Sequence, residues 1–304
     1  MPALLDIVGL SIAFGGLKAV QDFSLALARG DLQGLIGPNG AGKTTVFNLL
    51  TGVYRPMSGT VRLAGRRLDG LKPHQIAAAG VARTFQASRL FGDLTVLDNV
   101  RIGAQLRTRC RLIGTVFRSS GHVRGERHIL GRCDALLATF GLDHRRNELA
   151  RNLPYGDRRR LEMARALATD PQVLLLDEPA AGMNAPEKLA LRELIRGVRQ
   201  NFNVTILLIE HDMGVVMDIC ERITVLDYGV TIAAGTPAEV QRDPKVIGVL
   251  VVLAVAQQDD HGRRVVAGWN GRGRRRWSHG RSRRLVRVEV VAGITCLGDR
   301  DGIE

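Results

Sequence analysis

Gly37-Pro38-Asn39-Gly40-Ala41-Gly42-Lys43-Thr44-Thr45 follows the apolar run Asp31-Leu32-Gln33-Gly34-Leu35-Ile36 and leads into Thr45-Val46-Phe47-Asn48-Leu49-Leu50. The string fits G-x-x-x-x-G-K-[ST], and its flanks read as a strand before it and a helix after it. Glycines let backbone N–H groups turn toward phosphate oxygens, and the start of a helix adds the positive end of its dipole. In such a loop Lys43 reaches the β- and γ-phosphates, and the Thr44 hydroxyl is placed for Mg²⁺. The expected nucleotide contacts are therefore Gly37, Pro38, Asn39, Gly40, Ala41, Gly42, Lys43, Thr44 and Thr45, with ATP and Mg²⁺ as ligands. The alternative, a glycine-rich turn without a ligand, does not explain why string and context agree.

Outward from this loop, short alternating runs over residues 4–35 read as strands of an antiparallel sheet, and residues 58–68 return to β character around Gly59 and Gly65. Residues 93–150 are helical in composition, with a Gly- and Arg-rich break near 118–125. Helices are expected over 161–168 and 186–200, a fully apolar strand over 173–176 and another buried strand over 204–209. Strands alternating with helices imply an α/β protein with a parallel sheet covered on both faces.

Val173-Leu174-Leu175-Leu176-Asp177-Glu178-Pro179 places two carboxylates where a buried strand emerges, the edge at which open α/β sheets bind ligands. Asp177 is expected in the Mg²⁺ shell. Glu178, one residue on, is suited to align a water for attack on the γ-phosphorus. Alone, such a pair reads equally well as a solvated strand end; beside the phosphate loop it does not.

The chain has 43 Lys and Arg against 30 Asp and Glu, a net charge of +13. Residues 249–304 hold 11 Arg, no Lys and 6 acids, so the body is only moderately basic, and charge alone is a weak argument for nucleic acid. No apolar run approaches the roughly 20 residues that cross a bilayer. The first residues lack the basic and apolar pattern of a secretory signal. Cys110, Cys133, Cys220 and Cys296 stand far apart, which signals neither a disulfide framework nor a zinc site.

Leu153-Pro154-Tyr155-Gly156-Asp157-Arg158-Arg159-Arg160-Leu161-Glu162-Met163-Ala164-Arg165-Ala166-Leu167 precedes the acidic strand. It resembles the Leu-Ser-Gly-Gly-Gln signature of ATP-binding-cassette (ABC) ATPases, with Pro154 and Tyr155 replacing Ser and Gly, Gly156 retained, and Asp157 replacing Gln. This Tyr-Gly form, with Gly15-Gly16 early and Ala180-Ala181-Gly182-Met183-Asn184 after the acidic pair, is similar to the ATPase subunit of bacterial branched-chain amino acid importers. The resemblance covers residues 4 to about 247. It implies a P-loop NTPase core with a parallel sheet, an antiparallel β subdomain and an α-helical subdomain at about 87–160, together forming an ABC ATPase domain at 1–248.

By the same resemblance, Gln86 in Arg83-Thr84-Phe85-Gln86 joins the Mg²⁺ ion and the attacking water, and His211 in Glu210-His211-Asp212 is the switch histidine. Phe14 stacks on adenine, and Tyr155, Gly156 and Asp157 meet the nucleotide held by a second cassette. Residues 89–97 line a groove for a permease segment, while Asn184 stands where the family often has Asp. The implied partners are a second ATPase chain, identical or paralogous, two integral membrane permease subunits and, indirectly, an extracytoplasmic solute-binding protein. The implied place is peripheral, on the cytoplasmic face of the inner membrane. Urea importers and lipopolysaccharide exporters share much of this cassette; a soluble ABC protein acting on nucleic acid usually carries tandem cassettes or zinc modules, which are not visible here. Residues 249–304 lose this resemblance and all periodicity, and are expected to form a mostly disordered Arg-rich tail.

Overall fold

The structure, a computed structural model, describes residues 3–86, 89–106 and 120–248, without side-chain detail for 120–124, and beyond them only the backbone of four short strands. Residues 1–247 form one compact unit.

At its centre lies a six-stranded sheet. It contains β3 (Leu32–Ile36), β6 (Val81–Arg83), β7 (Val173–Asp177), β8 (Thr205–Ile209), β9 (Arg222–Asp227) and β10 (Val230–Gly235), in the order β10-β9-β3-β8-β7-β6. All neighbours are parallel except β9 and β10. Every residue of β3, β7 and β8 is buried, as expected of near-continuous Leu, Ile and Val runs covered on both faces. A second sheet, antiparallel, has the order β2-β1-β4-β5, from β1 (Leu5–Phe14), β2 (Leu17–Leu27), β4 (Ser58–Leu63) and β5 (Arg66–Arg67). In β2, Phe23, Leu25 and Leu27 point inward while Ser24 and Ala26 face solvent, the period-two pattern of a half-buried strand.

Helix α1 (Lys43–Leu50) is held between the two sheets. Its Val46, Phe47 and Leu50 belong to one apolar cluster with Leu5, Ile7, Phe23 and Leu27 on one side and Leu35, Leu175 and Leu207 on the other. Full burial of a ring such as Phe47 contributes about 1.5–3 kcal/mol, so the helix that begins at Lys43 is anchored from both sides.

The helical part comprises α3 (Val96–Gln105), α4 (Ser120–Thr139) and α5 (Tyr155–Ala168), after a short α2 (Pro73–Ala79) that the periodicity did not announce. A Cβ on Gly103 of α3 would sit 2.4 Å from the Arg165 carbonyl of α5, so glycine sets how closely these helices approach. Two local expectations are corrected. Helix α5 begins at Tyr155 rather than near 161: Pro154 is its N-cap, and Asp157 in its first turn suits the dipole, so Gly156 is helical rather than a free turn. The break expected near 118–125 falls partly outside the described residues, and from Ser120 the backbone is already helical.

Helices α6 (Ala185–Phe202), α7 (Met213–Ile219) and α8 (Pro237–Arg242) complete the unit, each capped by the residue before it: Asn184, Asp212 and Thr236. Asn184 and Glu187 form a reciprocal capping box, which accounts for an asparagine at that position. Cys133 and Cys220 are buried free thiols; Cys110 lies outside the described residues, and of Cys296 only the backbone is described.

Residues 248–304 form a separate unit. Its described backbone is two antiparallel hairpins, Val265–Asn270 with Arg274–His279 and Val288–Val291 with Ile294–Leu297. Two strands alone are marginally stable in water. The rest of the expected tail lies outside the described residues. Because the first unit closes its own core, a chain truncated after Gly248 should unfold cooperatively with a melting temperature within about 3 °C of the full chain, checked by circular dichroism; one that precipitates or melts without cooperativity contradicts this.

Candidate active site

The loop between β3 and α1 carries Lys43 at the first helical position. Gly42, its N-cap, has φ 103°, and a Cβ there would lie 2.5 Å from the Ala19 carbonyl, so only glycine admits this turn. The buried Lys43 Nζ donates to the carbonyls of Gly37 and Pro38 at 2.7 and 2.9 Å. Burial lowers its pKa to about 8, against the opposing pull of Glu178 and Asp177. A partly desolvated ammonium held at the rim of a loop is suited to a polyanion that restores its charge partner.

Asp177 ends β7. Its Oδ2 accepts from Arg83 Nη2 at 2.7 Å, and Arg83 Nη1 donates to Asn48 Oδ1 at the same distance. The guanidinium lies over the rings of Phe47 and Phe85, at 5.4 and 5.0 Å from their centroids. Both partners are almost wholly buried, so the pair orients the carboxylate more than it stabilises the fold. Arg83 stood in a quoted motif, yet only the tertiary fold reveals its role.

Glu178 follows with φ 49°, a left-handed conformation that costs a non-glycine residue about 1–3 kcal/mol. The turn is held by its N–H donating to the Ile209 carbonyl at 2.9 Å. Its Oε1 lies 2.6 Å from His211 Nε2, and its Oε2 accepts from Gln86 Nε2 at 2.7 Å. The hydrogen bond from His211 leads in holding the Glu178 carboxyl below the usual carboxylate range, with the charges of His211 and Lys43 and the Gln86 bond adding to it against burial.

Behind them, the buried Glu210 accepts from the N–H groups of Ala180, His211 and Asp212 at 2.6, 3.1 and 3.4 Å, fixing the segments after Glu178 and around His211 together. Burial pushes the Glu210 carboxyl up. Sequence reading passed over Glu210 because its partners are backbone groups from another loop.

Thr44 is exposed at the mouth of the loop, and Gln86, whose nitrogen serves Glu178, has an amide oxygen that no hydrogen bond occupies among the described residues. With Asp177 these are hard oxygen donors, few in number, the set that Mg²⁺ takes when phosphates complete its shell. Phe14 is 45 % exposed and meets Tyr54 edge-on at 5.1 Å, so ring surface remains for stacking. Tyr155 and Asp157, with Gly156 between them, stand away from this loop: Asp157 pairs with Arg145 at 3.4 Å and with Arg160 at 3.8 Å, and the Tyr155 hydroxyl bonds Arg159 and the Ala181 carbonyl.

The model of the family described as ABC transporter matches residues 20–181, and that described as branched-chain amino acid ATP-binding cassette transporter matches 230–248. The chain belongs to the ABC transporter family. It is 48% identical, over 80% of its own length and 96% of the relative's, to the high-affinity branched-chain amino acid transport ATP-binding protein LivG of Salmonella typhimurium strain LT2. With the same coverage it is 43% identical to BraF of Pseudomonas aeruginosa PAO1, which carries the same description. The lipopolysaccharide export system ATP-binding protein LptB of Escherichia coli K12 is more distant, at 32% over 80% of this chain and 95% of its own. Among solved structures, the ADP conformation of an ATP-binding cassette of an ABC transporter superposes with a TM-score of 0.72 at 27% identity, covering 83% of this chain and 99% of the other.

The ABC fold agrees with the layout read from the sequence: a P-loop ATPase core, an antiparallel β part and a helical part. In this cassette the segment before α3 exposes Phe91 and Leu94, while Asn99, fully buried, clamps the Phe91 backbone through its side-chain amide. Arg165 donates to the Arg89 carbonyl at 2.6 Å and lies over the Phe91 ring.

Since Lys43 titrates near pH 8 without nucleotide, ATP binding should draw in about half a proton per site at that pH, and affinity should fall as pH rises through 8. Calorimetry in buffers of different ionisation enthalpy measures the uptake; Lys43→Arg, which does not titrate in this range, should abolish it.

Proposed function

We propose that this ABC ATPase is the ATP-binding and hydrolysing subunit of an importer for branched-chain amino acids, working at the cytoplasmic face of the membrane with two permease subunits and an extracytoplasmic solute-binding protein. The observation that carries the hydrolytic reading is the convergence of Gln86 and His211 on the two oxygens of Glu178, beside Lys43 and Asp177. The identity to LivG and BraF supports the solute class, which this chain does not itself contact. Among the described residues no helix is long and apolar enough to cross a membrane.

The P-loop backbone and Lys43 hold the triphosphate, and Phe14 offers a ring face to the adenine. Mg²⁺ held by Thr44, Asp177 and Gln86 would neutralise phosphate charge during transfer. Glu178, kept ionised by its two donors, takes a hydrogen bond from the attacking water and draws off its proton, while His211 bonds the γ-phosphate region. In this reading Tyr155, Gly156 and Asp157 serve the nucleotide of a second chain, so two cassettes close around two ATP molecules and reopen after hydrolysis. The exposed Phe91 and Leu94 give the permease an apolar contact.

Glu178→Gln keeps shape and hydrogen bonding but loses the base. ATP binding should persist within about threefold while turnover falls about 10²-fold or more, read by nucleotide binding and phosphate release.

Lys43→Ala chains and Gly156→Asp chains should each be inactive alone. Mixed, they assemble one intact site, so up to half the wild-type rate per dimer should return in the complex with the permease. Full activity of Gly156→Asp chains as monomers contradicts the two-chain site, whereas failure of any activity to return contradicts an identical second chain.

A further inference from the structure

The Tyr at position 155 stands where the family signature has a glycine, and the structure shows what its hydroxyl does. Its Oη accepts from Arg159 Nε at 3.1 Å and Nη2 at 2.9 Å, and donates to the Ala181 carbonyl at 2.9 Å. A phenol has one proton to give and two lone pairs, so it is fully used. Arg159, buried, is also saturated: beyond those two bonds its Nη1 donates to the Phe85 carbonyl at 2.8 Å and to Glu162 Oε2 at 3.3 Å, and its Nη2 donates to the Gln86 carbonyl. Glu162 closes the ring by accepting the Phe85 N–H at 3.1 Å through its other oxygen. Tyr155, Arg159 and Glu162 occupy i, i+4 and i+7 on α5, one face of the helix.

This face therefore grips both chain segments that flank the Glu178 carboxylate. One is Phe85-Gln86, whose side chain bonds Glu178 Oε2; the other is the turn after Glu178, in which the Ala181 N–H donates to the Glu178 carbonyl at 3.2 Å. We infer that Tyr155 and Arg159 are positioning residues that tie the signature end of α5 to Gln86 and to the turn after Glu178 of the same chain. The inference rests on the hydrolytic reading proposed above. On that reading, the helix end that meets the partner's nucleotide is linked through the Arg159 guanidinium to the Phe85 and Gln86 carbonyls of its own chain, so engagement at one site sets the geometry of the other. A lysine at 159, with three donors on one atom, cannot span these acceptors.

The test is Tyr155→Phe, which keeps the ring and removes one hydroxyl, measured in the full chain with its permease complex, alone and combined with Gln86→Ala, with Glu178→Gln as control. Tyr155→Phe should lower kcat about 3- to 10-fold with ATP Kd within twofold of wild type, the loss expected for hydrogen bonds that orient a group. In the Gln86→Ala background, followed by single-turnover hydrolysis, the loss it causes should be smaller than in the wild-type background, because one of the two segments it positions is gone. Equal losses in both backgrounds make Tyr155 a stabiliser of the helix alone and overturn the inference, as does an unchanged kcat beside an inactive Glu178→Gln chain. A Glu178→Gln chain that turns over normally overturns the hydrolytic reading, and this inference with it.

Discussion

Leu35, Ile209 and Asp177 stand side by side in one row of parallel backbone pairing across β3, β8 and β7, and the loops that follow them are the site. Parallel strands all end at the same edge, so the Lys43 loop, the His211 loop and the Glu178 turn leave it from adjacent strands, each about 5 Å from the next. Strand β6 adds the fourth, pairing Arg83 with Leu175 and sending Gln86 to the same place. A register shift of one residue would turn Asp177 to the other face of the sheet and leave its guanidinium partner buried alone. The apolar runs that make these strands thus carry the chemistry indirectly, by fixing where each loop starts.

Above that edge, buried charge is managed by pairing. Arg83 with Asp177, Arg159 with Glu162, and Glu210 with three backbone N–H groups are each nearly sealed from solvent. Such groups contribute little net stability but make every alternative arrangement expensive, because a stranded charge costs several kcal/mol. The strained backbone at Glu178 persists for the same reason: the Ile209 carbonyl, Gln86 and His211 all hold it.

The residue types and their order along the chain determined the phosphate loop, the acidic strand end and the buried strands, because each is local, a glycine pattern or an apolar run; the signature was read through resemblance, and the start of its helix at Tyr155 came only from the structure. Gln86 and His211 were legible only through resemblance, since a single polar residue after a strand has no local signature. What the tertiary structure alone decided is which side chains meet. That Arg83 faces Asp177, that Glu210 holds Ala180, and that Tyr155 reaches Ala181 are contacts between residues 26 to 94 positions apart, two of them involving backbone groups. Hydrogen bonds to backbone depend on where a chain passes rather than on which residue it carries, so the sequence does not display them until the sheet has placed its loops.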